Sequence, residues 1–371
     1  MPDTPTFAAP LLTGDFAPWF KGQALDGRAD WAFPSAAGAP ILLFFMGSAG
    51  HPAVAAALAT IRAGADLFDD VRGRFFGVTC DPTDVASGRI AQRLPGIRHF
   101  LDYDRRISTL YGAASEGDER YRAHILLLDR TLQVVRRFRL DEAGAALDAY
   151  VAATRVVGQQ DWAPVLTVPN LLEPTLCRAL IDLYDRSGGE ESGFMREVGG
   201  KTTMVTDHNF KRRSDAQIDD PRLRQALVER IRRRLLPAIE RTFQFEATRI
   251  ERYIVAAYDA ETGGHFNAHR DNTTKGTAHR RFAVTINLND DYEGGDLRFP
   301  EFGDRTYRAP KGGAIVFSCS LLHEATRMES GRRYATLPFL YDDAGAELRA
   351  ANTQFLDDGV YRYDPASAAA E

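Results

Sequence analysis

This sequence predicts two domains, an α/β domain at the N-terminus and a strand-rich domain with covering helices at the C-terminus. Three observations predict them. Short apolar runs alternate with a helical stretch in the first half, and turn-bounded strand runs surround a His-x-Asp tripeptide in the second. Between them, Val156-Val157-Gly158-Gln159-Gln160-Asp161 breaks the helical pattern before Pro164. At 371 residues the chain is long enough for two or three domains with ordinary cores.

In the first half, Ile41-Leu42-Leu43-Phe44-Phe45, Phe75-Phe76-Gly77-Val78-Thr79 and Ile125-Leu126-Leu127-Leu128 are continuous apolar runs, as strands buried on both faces require. The Ala- and Leu-rich stretch from Pro52 to Phe68 reads as a helix between the first two. The N-terminal residues Met1 to Pro5 show neither a basic start nor an apolar core. No run approaches the ~18 apolar residues of a membrane span, so a cytoplasmic, unanchored protein is expected. A net charge of −5 gives no electrostatic reason to expect nucleic acid as a partner. Lys occurs only at 21, 201, 211, 275 and 311, which reads as a composition bias. Three scattered cysteines, Cys80, Cys177 and Cys319, form neither a disulfide framework nor a CxxC site, and a reducing compartment fits them.

The second half carries the chemistry. In His269-Arg270-Asp271, residues two apart at a strand end point to the same side, so His269 and Asp271 can share an ion while Arg270 points away. A second histidine, His323, is expected from a neighbouring strand, at the far end of Gly313-Ala314-Ile315-Val316-Phe317-Ser318. Two histidines and a carboxylate on one face of an octahedral ion are the ligand set of non-haem Fe(II) oxygenases. Arg333 opens a further strand, Tyr334 to Leu340, where a guanidinium suits two-pronged pairing with a carboxylate. Arg332 reads as its solvated neighbour, and His265, beside Gly263-Gly264, as a loop residue. Asp220-Pro221 caps a helix whose stripe is Leu223, Leu227, Ile231 and Leu235, with a kink expected at Pro237. The segment from Ser187 to Asp215 shows little periodicity and reads as a lid over substrate. Its triplet Lys211-Arg212-Arg213 is equally compatible with a solvated strand end.

These residues resemble the 2-oxoglutarate and Fe(II)-dependent dioxygenases of prolyl 4-hydroxylase type. The pattern runs through Tyr258, Gly263, Phe266, His269-x-Asp271, Asn289-Asp290, Gly294-Gly295, Phe299-Pro300, Pro310-x-Gly312, His323 and Gly331-x-Arg333. The resemblance implies a double-stranded β-helix, or jelly roll, with flanking helices. It implies Fe(II) on His269, Asp271 and His323, and Arg333 on the distal carboxylate of 2-oxoglutarate. O2 and 2-oxoglutarate would be consumed, succinate and CO2 released, and a peptidyl or small-molecule substrate hydroxylated, with ascorbate as a possible reductant of the metal. Tyr258 is the candidate second contact to 2-oxoglutarate, yet it sits two residues further from the ligand histidine than in the family pattern. A buried tyrosine with a structural partner is an equal reading.

The first half resembles the peroxiredoxins, of thioredoxin-like fold, through Gly14-Asp15-Phe16-Ala17-Pro18, Phe44-Phe45, Gly77-Val78-Thr79-Cys80-Asp81, Tyr111-Gly112 and Arg122-Ala123-His124. Val54 stands where that family has its peroxidatic Cys, so the resemblance implies the fold without the peroxidase. Arg122 falls at the position of the Arg that supports the thiolate. The expected organisation is a peroxiredoxin-like domain over residues 1–157, a dioxygenase domain over 162–342 and a tail over 343–371, packed partly through Phe355, Val360, Tyr361 and Tyr363. Cys80 and Cys177 are expected to be packing residues, and Cys319 to face away from the metal. Three alternatives stay open: Zn in a hydrolase, an oxygen or 2-oxoglutarate sensor without turnover, and a thiol peroxidase using Cys80.

Overall fold

The structure, a computed structural model, describes residues 7–155, 161–358 and 360. The chain divides into two compact units, Met1–Asp161 with Pro300–Gly303, and Trp162–Phe299 with Asp304–Glu371. Residues Met1 to Pro5, the break at Val156 to Gln160, and Tyr361 and Tyr363 lie outside the described residues.

The first unit is built on strands β1 (Ile41–Gly47), β2 (Arg74–Thr79), β3 (Ile97–Leu101), β4 (His124–Leu128) and β5 (Val134–Phe138), with helices α1 (Pro52–Ala63) and α2 (Ala143–Thr154). The strand order is β3-β2-β1-β4-β5, parallel across the first three and antiparallel across the last two. Every residue of β1 is buried, which is why its sequence is continuous rather than alternating. Val54, Leu58 and Ile61 of α1 and Ala146 and Tyr150 of α2 pack with Leu42 and Phe44. Phe45 leans instead on Tyr111, and Phe76 on Phe100. The helix predicted to Phe68 ends earlier, at Gly64, and a single 3-10 turn over Ala65–Leu67 follows.

The second unit opens with α3 (Pro174–Ser187), a hairpin of β6 (Phe194–Val198) and β7 (Lys201–Val205), then β8 (Lys211–Arg212) and β9 (Ser214–Gln217). Helices α4 (Pro221–Arg230) and α5 (Leu236–Phe243) precede β10 (Ile254–Asp259), β11 (His265–His269) and β12 (Phe282–Asn287). Next come β13 (Leu297–Arg298), β14 (Thr306–Tyr307), β15 (Ala314–Ser318), β16 (His323–Ala325), β17 (Arg332–Thr336), β18 (Phe339–Tyr341) and α6 (Asp343–Asn352).

The strands form two antiparallel sheets, a small one in the order β8-β11-β16-β13-β14 and a large one containing β18, β12, β17, β10 and β9, with β15 paired to β12. Alternation sorts the large sheet. Val255, Ala257, Val284, Ile286, Ala314 and Val316 join Leu180, Leu227, Ile231 and Leu235 of the helices in one core. The intervening residues, among them Tyr258, Thr285, Asn287 and Arg333, occupy the opposite face.

Several expectations change here. The strand Ala314–Ser318 does not carry His323 at its end: it belongs to the large sheet, and the chain turns through Cys319 to Leu322 before His323 opens a strand of the small one. Alternation specifies a strand but not its sheet. The strand expected from Tyr334 to Leu340 is two, split at Leu337-Pro338 because Pro338 has no N–H to give the ladder. Just before Pro237, where the kink is expected, lies a π-helical turn over Ile231–Leu235, in the place where the proline ring displaces the upstream carbonyl ladder. The segment Ser187 to Asp215 is not irregular: it holds a hairpin and three short strands, one of them Glu190–Glu191. His265 is the first residue of β11, not a loop residue. The start of the presumed tail is a helix, with the Asp342 carboxylate accepting from the Gly345 N–H, and Lys275 lies over the Phe355 ring.

Candidate metal centre

The bulge between Phe266 and His269 brings His269 directly opposite His323 on the neighbouring strand. Their rings lie 4.3 Å apart. Asp271 follows in the turn after β11, with Oδ1 3.6 Å from His269 Nε2 and Oδ2 3.3 Å from His323 Nε2. One ligand atom from each of the three falls within 4.8 Å of the others, and this is the group among the described residues with metal-ligand geometry.

The remaining ring nitrogens are anchored. His269 Nδ1 lies 2.7 Å from the Asn267 carbonyl and His323 Nδ1 3.0 Å from the Leu321 carbonyl. Each Nδ1 must therefore carry the proton, which leaves Nε2 as a bare lone pair directed at Asp271. Burial pushes His323 down to about 4, so it is neutral near pH 7. Burial alone would raise the Asp271 carboxyl, but His323 and His269 overcome it and hold the group below the usual carboxylate range. A neutral His323 beside an ionised Asp271 suits a divalent ion.

Aromatic rings fix the histidines. Phe266 stacks on His269 at 3.6 Å, and Phe317, from the large sheet, meets His323 at 4.5 Å. Arg270 turns away from the ligands, as expected, and donates to the Ser320 carbonyl, tying down the turn that delivers His323. His265 is not a ligand: its two ring nitrogens face the carbonyls of Gly263 and Asn209.

Arg333 is buried at 3% exposure on β17, opposite Tyr258 on β10. Its guanidinium donates to Thr285 Oγ1 at 2.7 Å, to Asn287 Oδ1 at 3.0 and 3.2 Å, and to the Gly295 carbonyl at 2.7 Å. Among the described residues no carboxylate pairs with it. A buried guanidinium held only by neutral acceptors is oriented yet uncompensated, the condition that suits a carboxylate ligand. Gly294 and Gly295, at φ +74° and +67°, let that carbonyl approach; a Cβ on Gly295 would meet the Met328 sulfur at 2.4 Å. Arg332 is exposed and pairs with Asp259, as its reading required.

Tyr258 is buried with Tyr292, Ala325 and Met328, and the Arg333 guanidinium lies 5.6 Å from its ring. Its hydroxyl faces Arg213 Nη1 at 3.5 Å. The basic triplet is therefore no solvated strand end: Lys211 and Arg213 are buried, and only Arg212 is exposed. The spacing Lys211, Arg213, Asp215, three charged residues two apart, carried a signal for one inward face that the composition reading missed. Thr285 and Asn287, which position Arg333, had no separate signal.

In the first unit, Val54 is buried on the first turn of α1, and Arg122 lies over the Phe7 ring at 3.7 Å. Cys177 and Cys319 are fully buried. Cys80 is half-buried beside Ser108 Oγ at 3.3 Å, and burial pushes its thiol up to about 11. Against an ordinary thiol its thiolate fraction at pH 8 is lower by about a hundredfold. Iodoacetamide labelling read by mass spectrometry is expected to modify Cys80 slowly at pH 8 in the folded protein, and rapidly in urea. Rapid modification in the folded state would revive the thiol-peroxidase reading.

Two histidines and a carboxylate meeting in this way have the donor set of mononuclear non-haem iron sites. Residues 253–341 match the 2OG-Fe(II) oxygenase superfamily. The chain is 27% identical over 139 residues to a PKHD-type hydroxylase from Synechococcus sp. strain JA-2-3B'a(2-13) and to another from strain JA-3-3Ab; the match covers 34% of this chain. It spans 60% of the length of those relatives. Among solved structures it is similar to a Trichoplax adhaerens prolyl hydroxylase in complex with a hypoxia inducible factor peptide fragment, at TM-score 0.38 and 17% identity, covering 50% of this chain and 86% of that one. It is also similar to a Pseudomonas putida prolyl-4-hydroxylase, at TM-score 0.38 and 18% identity, covering 48% and 92%. The similarity to 2OG-Fe(II) oxygenases thus lies in the C-terminal region, over residues 253–341, the stretch that holds His269, Asp271, His323 and Arg333.

Proposed function

We propose that the protein is an Fe(II)- and 2-oxoglutarate-dependent dioxygenase that hydroxylates a peptidyl or small-molecule substrate and releases succinate and CO2. The observation that carries this reading is the meeting of His269, Asp271 and His323, with all three ligand atoms within 4.8 Å of one another. Bound there, Fe(II) would supply O2 activation coupled to oxidative decarboxylation of 2-oxoglutarate. His269 and His323 would offer Nε2, Asp271 a carboxylate oxygen, and Arg333 would take the distal carboxylate of the cosubstrate. Tyr258 would wall that pocket with its ring, its hydroxyl serving Arg213 instead. Phe266 and Phe317 would keep water from the ligand face and hold the imidazole planes, so the chain contributes orientation and a dry setting rather than an acid or base.

The same proposal assigns a jelly roll to the two antiparallel sheets and a thioredoxin-like, peroxiredoxin-like domain without a peroxidatic cysteine to residues 1–157. Residues 162–342 would be the catalytic domain, and 343–371 its C-terminal extension. The sheet order of the first unit and the buried Val54 support the thioredoxin-like reading. Three free thiols favour a reducing compartment such as the cytoplasm, and among the described residues no helix is long and apolar enough to cross a membrane. Ascorbate would restore iron oxidised in turnovers without substrate.

The test is anaerobic titration of the metal-free full chain with Fe(II) and 2-oxoglutarate, followed by O2. A weak visible charge-transfer band on adding both, and succinate after O2, are expected. A folded, iron-loaded protein with neither would return the site to Zn or to a vestige; a band without succinate for any substrate would favour a sensor.

A further inference from the structure

Behind the proposed iron site lies a concentration of buried positive charge. Lys211 is 4% exposed, and its ammonium donates to Ser192 Oγ at 2.7 Å and to the Gly193 carbonyl, both neutral. Among the described residues no carboxylate lies within ion-pair distance of it. Arg213, 7% exposed, places its fork on Asp215 with two contacts of 2.7 Å, and Arg252 reaches the same carboxylate at 3.6 Å. Lys211 and Asp215 meet on the same Ser192 hydroxyl, so three basic side chains surround one carboxylate.

The proposed cosubstrate does not supply what is missing. Fe(II) with Asp271 carries one net positive charge, Arg333 a second, and the 2-oxoglutarate dianion cancels both. The cluster of Lys211, Arg213, Arg252 and Asp215 then keeps its excess. Burying an ammonium to bond two neutral acceptors costs more than a neutral donor would, so strand tethering alone is a poor reason for Lys211.

The cluster also adjoins the reaction centre. Lys211 Nζ lies 5.0 Å from the Phe266 ring centre, and Phe266 stacks on His269. Arg213 touches the Tyr258 hydroxyl, and burial, with Arg213 beside it, pushes the Lys211 amine well below the ordinary lysine range. Arg252 has φ +78°, a strained backbone for a residue other than glycine, and its side chain keeps 25% of its exposure. It is the member a ligand meets first.

Building on the dioxygenase reading above, we propose that the substrate carries an anionic group, a carboxylate or a phosphate, which docks on Lys211, Arg213 and Arg252 and so presents the rest of the molecule to the metal face. A neutral substrate would leave the excess charge buried and unanswered.

The test uses the scarcity of lysine. The chain has five lysines. Full-length protein labelled with 13Cε-lysine therefore gives few resonances, and Lys211→Gln identifies the one of interest. With Zn(II) as a diamagnetic stand-in for iron and 2-oxoglutarate present, acetate, inorganic phosphate and acetamide are titrated at fixed ionic strength. A saturable shift of the Lys211 resonance with acetate, phosphate or both is expected, with none from acetamide, and the anion that acts identifies the group. A Lys211 resonance indifferent to both anions, or moved equally by acetamide, would overturn the proposal. So would one moved by 2-oxoglutarate alone and afterwards silent, which would assign the cluster to the cosubstrate. The Fe(II) and 2-oxoglutarate band is read separately: its failure removes the dioxygenase reading, whereas its presence with a silent Lys211 removes only this one.

Discussion

His323→Ala and His269→Ala are each expected to abolish the Fe(II) and 2-oxoglutarate band and all succinate formation. The effect is large because three candidate ligands meet there among the described residues, and the two histidines are already oriented by carbonyls on their other ring nitrogens. Losing an outer partner of a ligand typically weakens metal binding by about 10- to 100-fold, and losing a ligand itself costs at least as much. Both variants should keep their circular dichroism, since His269 is the last residue of its strand and His323 the first of a strand of three residues. Asp271→Ala should behave alike but for a different reason: two neutral imidazoles would remain with no anion to balance the ion. A variant that retained the band with full intensity would place the metal elsewhere. Adding Fe(II) should raise the thermal midpoint of the wild type and leave that of His323→Ala unmoved.

Arg333→Met is expected to leave Fe(II) binding intact and to raise the 2-oxoglutarate requirement by about 30- to 1,000-fold, the loss of a charge-assisted pair worth roughly 2–4 kcal/mol. Arg333→Lys should fall between, because a point charge reaches one oxygen where the fork reaches two. The readout is the band titrated with 2-oxoglutarate at saturating Fe(II). A second readout separates binding from damage: 2-oxoglutarate at about 100 times its dissociation constant should stabilise the iron-loaded wild type by about 2.7 kcal/mol, and the same concentration should do far less for the variant. Equal 2-oxoglutarate titrations in wild type and Arg333→Met would show that Thr285, Asn287 and Gly295 hold this guanidinium for a structural purpose only.

The metal ligands were legible because two are adjacent in sequence with strand spacing, and the third lies near an arginine whose chemistry complements them. His269 and Asp271 needed only the period of a strand. Arg333 needed only the recognition that its fork suits a carboxylate better than lysine does. Less could be read from Tyr258, where sequence left two roles open; the structure sets its ring beside Arg333 and its hydroxyl against Arg213. The triplet at Lys211 was misjudged because composition counts charge without direction. Two of those three side chains face inward, against the usual preference of cations for solvent.

By itself the sequence determined the two-part organisation, the buried strands at Ile41, Phe75 and Ile125, the capped helix at Asp220 and the candidate ligand set, since each follows from local periodicity, capping chemistry or donor type. Tertiary structure alone decided that Ala314–Ser318 and His323–Ala325 belong to different sheets, that His269 and His323 stand directly opposed, and that Thr285, Asn287 and Gly295 aim Arg333. It also decided that Arg213 and Arg252 meet on Asp215 behind the site, with Lys211 beside them on the Ser192 hydroxyl. The division has a physical cause. Side-chain period is a property of a few consecutive peptide units, whereas sheet membership, register and the burial of charge are fixed by segments tens of residues apart that meet only when the chain closes on its core.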